Sequence, residues 1–144
     1  MTNNSYISLG FGFDMNDVDM IGWHANGETA FAEDYWSTSK ITPKVDAVSH
    51  LVSTHEITEG KKTVKWVTKR KLDTGDLAED YLIPLNDEID IVWAIGLSSG
   101  DWKYHDLWGR FKMTFDESLG NLPKAKTSTP VEKLGCLKNS WDDF

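Results

Sequence analysis

From Tyr6 to Trp23 the chain reads YISLGFGFDMNDVDMIGW, and this stretch constrains the fold more than any other. Ile7, Leu9, Phe11 and Phe13 alternate with small residues, a period of two that suits an extended strand with one apolar face. Met20, Ile21 and Trp23 follow an acidic turn, Asp14 to Asp19, so the two runs read as a β-hairpin. Met15 stands in that turn, where a large apolar side chain ordinarily has nothing to bury against. It either folds back on the core or reaches something that wants a soft sulfur.

Downstream, the same punctuation repeats. His24-Ala25-Asn26-Gly27 is a tight-turn signal, and Thr29, Phe31 and Tyr35 mark the return strand. The polar stretch from Ser37 to Asp46, with Pro43, reads as a loop, and Val45 to Thr54 as a weakly patterned strand. Thr63 to Lys71 places Val64, Trp66 and Val67 among Lys and Thr, as in a half-exposed antiparallel strand. Leu72 to Asp76 is a second acidic loop. DIVWAIGL, Asp90 to Leu97, is the most apolar run and too short for a buried helix. Phe111, Met113 and Phe115 alternate in a last strand and point to the core. Short strands at regular spacing, with no helical period, predict an all-β antiparallel sandwich over residues 1–116. Residues 117–144 form a linker-like tail with Pro123 and Pro130, whose Leu134, Leu137, Trp141 and Phe144 would dock on the domain or on a partner.

Charge narrows the partners. A net charge of −8 repels phosphate backbones, so nucleic acid is not expected, whereas a basic protein surface would be attracted. No apolar run approaches the roughly 20 residues needed to span a bilayer. The early start of strand-like sequence suggests a mature or excised domain. Cys136 is a lone cysteine and cannot form an internal disulfide.

Most catalytic and metal motifs are absent. Gly10-Phe11-Gly12 lacks the third glycine and the helix of a phosphate-binding turn, and there is no HExxH or CxxC. The soft and imidazole ligands sort by position. Met20 and Met113 lie in strand phase and are expected to pack. His24 abuts a turn, and His50 and His55 lie in a poorly patterned segment; all three are expected to be exposed. Met15 and His105 remain, both in loops at strand ends, where binding residues concentrate. The residues alone leave their role open. Asp14, Asp17 and Asp19, with Asp73, Asp76 and Asp80, form two acidic clusters that read as turn chemistry in preference to a calcium-like site of hard oxygens, because their spacing fits no EF-hand. Trp102, Tyr104 and Trp108 flank His105; they belong to the core, wall an apolar pocket or stack on a sugar.

Taken in order, ISLGFGFD, Met15, VDMIGW, NGETAFAEDYW, the loop with Pro43 and Asp46, KRKLDTGDLAEDYLI, IVWAIG and YHDLWGRFKMTF resemble a DOMON domain from about Tyr6 to Phe115. That family includes the cytochrome domain of cellobiose dehydrogenase, the domains fused to cytochrome b561 and the N-terminal domain of dopamine β-monooxygenase-like proteins. The resemblance implies an immunoglobulin-like antiparallel β-sandwich, here short of one or more N-terminal strands. It implies haem b held by a Met after the first glycine-rich strand and a His near the last, matched here by Met15 and His105. Phe13, Trp102, Tyr104 and Trp108 would shield the macrocycle. Met/His ligation closes both axial positions, so such a site passes electrons rather than activating oxygen. The expectation is a non-catalytic electron-transfer domain, extracellular or membrane-attached. Its partner would be a cytochrome b561-type membrane protein or an oxidoreductase domain. The alternative is a haem-free DOMON module that binds a carbohydrate or a protein.

Overall fold

The computed structural model describes residues 4–26, 29–58, 63–97 and 101–116. These form strands β1 (Ser5–Gly10), β2 (Val18–Asn26), β3 (Thr29–Ser37), β4 (Lys44–Val45), β5 (Val52–Thr58), β6 (Thr63–Lys69), β7 (Glu88–Gly96) and β8 (Leu107–Thr114). A six-stranded antiparallel sheet runs β4-β3-β2-β1-β7-β8, and β5-β6 form a second, two-stranded sheet. The described residues are all-β, as the period-two reading requires. The tail assigned to residues 117–144 lies outside them.

The glycine-rich N-terminal strand sits inside the large sheet, between β2 and β7. Its alternation divides the molecule. Leu9 and Phe11 join Ile21, Ile83, Ile89 and Ile91 in the main apolar core, with Leu51, Leu72 and Met113 packed around it. A side chain such as Ile91, 2% exposed, contributes roughly 1.5–3 kcal/mol by leaving water. Tyr6, Ser8 and Gly10 face the opposite side. Trp23 Nε1 donates to Thr68 Oγ1 of the small sheet at 2.7 Å, which joins the two sheets.

Several expectations need correction. Strand β1 ends at Gly10, so Phe13 lies beyond it and is 56% exposed. Strand β2 continues through Asn26, which pairs with Thr29, so His24 is not a turn residue. It falls in phase with Met20 and Gly22 and is 1% exposed. His55 is exposed, but His50 is drawn in by an ion pair with Asp80 at 2.7 Å. Phe111 is 44% exposed, because β8 is the edge of the large sheet. Turn chemistry holds for three of the acidic residues: Asp14 Oδ1 accepts from Asn16 N, Asp73 Oδ1 from Gly75 N, and Asp76 Oδ1 from Ala78 N. It fails for Asp19 and Asp80, which are buried.

Candidate functional site

The face of the sheet opposite the main core carries a hollow, and the register explains it. Gly22, Ser8 and Ala94 lie side by side across β2, β1 and β7. Three small residues in one row leave a depression between larger neighbours. Met20 and Tyr6 bound it along the strands, and Trp108, paired with Ala94, closes the row on β8. The cavity measures about 450 Å³, within the roughly 300–1,000 Å³ usual for ligand sites.

Two loops from opposite ends of the strands cover it. The first, residues 11–17, returns from β1 to β2 and carries Phe13 and Met15. Phe11 N donates to Asp19 O at 2.9 Å and Asn16 Nδ2 to Asp14 Oδ2 at 2.7 Å, which set the turn. The buried Ser37 hydroxyl on β3 donates to the Met15 carbonyl at 2.8 Å, fixing the backbone at that residue. Arg110 on β8 lies over the Phe13 ring at 3.9 Å, a cation–π contact that spans the hollow's rim.

The second lies between β7 and β8 and is described from Asp101 to Asp106. Its base is closed by Asp106 N to Ile95 O, 2.9 Å, and Leu97 N to Asp106 Oδ2, 2.7 Å. Trp102 plugs into a buried aromatic box. It lies edge-on to Tyr35 (5.0 Å, 87°) and His24 (5.2 Å, 80°), and tilted against Tyr6 (4.9 Å). The Tyr6 hydroxyl donates to Lys103 O at 2.6 Å. These contacts hold His105 at the rim, with Tyr104 stacked on it (5.3 Å, 4°) and Trp108 at 6.5 Å.

All six residues singled out in the sequence, Met15, His105, Phe13, Trp102, Tyr104 and Trp108, line this one cavity. Burial lowers the pKa of His105, against a smaller opposing pull from Asp106, which favours the neutral imidazole that a metal requires. The lining also holds Lys40 and Arg110. An apolar hollow with a thioether, a neutral imidazole and cations at hand suits a flat apolar group bearing anionic substituents. Haem b has that chemistry.

Sequence reasoning missed Tyr6 and His24 as supports, while Tyr35, at the end of its strand, was a candidate for the aromatic wall. Tyr35 donates to Glu33 Oε2 at 2.7 Å and lies 3.1 Å from His24 Nε2. The signal was present: strand β2 alternates through Met20, Gly22 and His24, and the Asn-Gly pair after it obscured the phase.

Tyr6 makes the domain sensitive to alkali. Desolvation, with a smaller push from Asp106, raises its pKa from 10.0 to about 12. Between those values the unfolded chain loses the proton and the folded one keeps it. This contribution to stability is therefore full below pH 10 and lost as pH rises through about 12, a difference on the order of 3 kcal/mol. Urea midpoints measured from about pH 9 to 12 should fall, and Tyr6→Phe should fall less steeply; equal slopes would refute the assignment.

The sequence model of the DOMON domain family matches residues 1–96. No curated protein matches the chain. Two solved structures share the fold. The cytochrome b domain of pyranose dehydrogenase from Coprinopsis cinerea aligns with a TM-score of 0.54 at 12% identity, over 78% of this chain and 62% of that one. The cytochrome domain of Myriococcum thermophilum cellobiose dehydrogenase aligns with a TM-score of 0.57 at 9% identity, over 84% of this chain and 67% of that one. The chain thus spans about two thirds of the length of these neighbours.

Proposed function

Because the chain belongs to the DOMON domain family, we propose that it is a b-type haem-binding electron-transfer domain in which Met15 and His105 hold the iron. One observation carries the reading. A methionine and a histidine far apart in sequence, each on a pinned loop, line the same aromatic-walled cavity. The likeness of the fold to two cytochrome domains supports it.

When bound, haem supplies one-electron chemistry. The protein's own residues do the rest. Ser37 fixes the Met15 backbone, and the Tyr6–Lys103 and Asp106–Leu97 contacts fix the loop of His105. Trp108, Phe13 and Met20 exclude water, which favours the less charged ferrous state, as does a thioether ligand. Lys40 and Arg110 offer charge to the macrocycle's carboxylates. The redox partner is an oxidoreductase domain or a cytochrome b561-type membrane protein, met outside the cell or at its surface. The acidic chain would be steered to a basic face, at a rate that falls as salt rises.

Haemin added to the purified protein should give a six-coordinate low-spin spectrum, and Met15→Ala or His105→Ala should each abolish it. An unchanged spectrum in both variants would sink the ligand assignment. A protein that takes up no haem but binds oligosaccharide would favour the rival reading. Tyr104, 75% exposed at the rim, offers a stacking face for a sugar.

A further inference from the structure

The main-core face of the large sheet carries a cluster of buried acids around one guanidinium, Arg70, and two of these acids converge with a histidine. Asp34 lies on β3, opposite Ile21 of the main core. His50 stands two residues before β5, and Asp80 lies in the segment between β6 and β7. Each offers one ligand atom, and the imidazole nitrogen and two carboxylate oxygens lie within 4.8 Å of one another. Three separate stretches of chain thus deliver donors to one place. Asp34 and Asp80 are buried, and the His50 side chain is 27% exposed. Asp19 stands apart from this group, held by Arg70 and by Tyr81 N.

The donor atoms touch as neighbouring ligands do, not as hydrogen-bonded partners. His50 Nδ1 lies 2.7 Å from Asp80 Oδ2, yet neither atom makes a hydrogen bond. At this distance a ring N–H aimed at the oxygen would make one. Asp34 Oδ1 is buried and accepts nothing, while Asp34 Oδ2 accepts from the His50 backbone N at 3.0 Å, which fixes the carboxylate beside the ring. Buried polar atoms without partners are uncommon, because each forfeits its hydration. One proton can satisfy one of these atoms; a metal ion satisfies all three. A surface hollow lined by Val48, His50, Thr74 and Asp76 reaches the exposed part of the ring and gives a route in from solvent.

We propose that Asp34, His50 and Asp80 hold a divalent transition-metal ion of the zinc type, on the face of the sheet opposite the aromatic-walled cavity. One imidazole nitrogen and two carboxylate oxygens suit zinc, whereas calcium takes oxygen ligands. Water from the hollow would complete the four ligands zinc prefers. The bond from His50 N orients Asp34, and Arg70 Nη2, 3.1 Å from Asp80 Oδ1, orients Asp80, as outer supports do around metal ligands. The ion would staple β3 to the stretch that leads into β5 and to the segment that follows β6, and so tie the small sheet to the large one. Its binding energy would become folding energy. None of the three residues lines the opposite cavity except through the fold, so the site stands whether or not haem binds there.

The test uses the purified full chain, stripped with EDTA and dialysed, and reads zinc binding by calorimetry and thermal unfolding. One zinc should bind per chain. With free zinc at about 100-fold its dissociation constant the melting temperature should rise by about 10 °C, and calcium at the same concentration should give no such rise. His50→Ala should weaken zinc at least about 100-fold. Asp34→Asn should weaken it too, and serves if His50→Ala does not fold. His55→Ala and Cys136→Ser, which alter other zinc-binding side chains, should bind as the wild type does. The proposal is overturned if the wild type shows neither binding heat nor a thermal shift, or if calcium matches zinc. Undiminished zinc binding in a folded His50→Ala or Asp34→Asn, or its loss in either control, would overturn it as well.

Discussion

Arg70→Ala is expected to destabilise the domain by about 3–5 kcal/mol, a large part of the 5–15 kcal/mol that holds a typical domain together. The Arg70 side chain is 4% exposed, between Asp19 at 0% and Asp80 at 2%. It also donates to Tyr81 O at 3.1 Å and lies over the Phe11 ring at 5.1 Å. Among the described residues, truncation removes the only guanidinium in contact with two buried carboxylates and leaves them without a cation beside them, apart from His50 next to Asp80. It also opens a void next to the main core. The pair is expensive to break even though forming it gains little over an apolar alternative, because the desolvation has already been incurred. Urea unfolding of wild type, Arg70→Ala and Arg70→Lys measures this directly. Lysine keeps the charge but lacks the fork that reaches Asp19, Asp80 and Tyr81 O together, so it should fall between the other two. A loss below about 1 kcal/mol in Arg70→Ala would show that the cluster is solvated or neutral.

Gly96→Ala should cost about 1–3 kcal/mol and, with it, the geometry of the aromatic-walled cavity. A β-carbon at Gly96 would overlap the Tyr6 ring, with which Gly96 is paired across β1 and β7. Tyr6 has no room to yield. Its ring is 1% exposed and lies against Trp102 and His24, and its hydroxyl is held by Lys103 O. Displacing it would release the loop that carries Trp102 and His105. Haem affinity should therefore drop in Gly96→Ala although no cavity-lining side chain has changed. A double-mutant cycle checks the cause: with Tyr6→Leu in place, adding Gly96→Ala should cost much less than in wild type. Additive costs would place the strain elsewhere.

The sequence disclosed the strands and the cavity's principal residues because those depend on local alternation and on loop position. Thr63 to Lys69 alternates outward and inward as its residues suggest, and the run at Asp90 to Leu97 is a central strand. The resemblance to a DOMON domain suggested pairing Met15 with His105, which period two alone left open; both line the one cavity. The charge cluster was not legible. Arg70 meets Asp19 across 51 residues and Asp19 meets Tyr81 across 62, and no local pattern encodes either contact. An aspartate beside Asn or Gly looks the same whether it caps a turn or is driven inside. His24 was misread for the converse reason: a strong turn signal at Asn26-Gly27 drew the strand end to Trp23, three residues too early.

Strand β2 serves two chambers with alternate residues. Met20, Gly22 and His24 face the aromatic-walled cavity and its aromatic box, and Asp19 and Ile21 face the charge cluster and main core. The strand is therefore written like overlapping messages that share one reading frame. Inserting or deleting a single residue between Val18 and Asn26 would exchange them, turning a carboxylate toward the macrocycle and a methionine toward Arg70. Substitutions in β2 can injure one chamber at a time, but a change of length damages both at once.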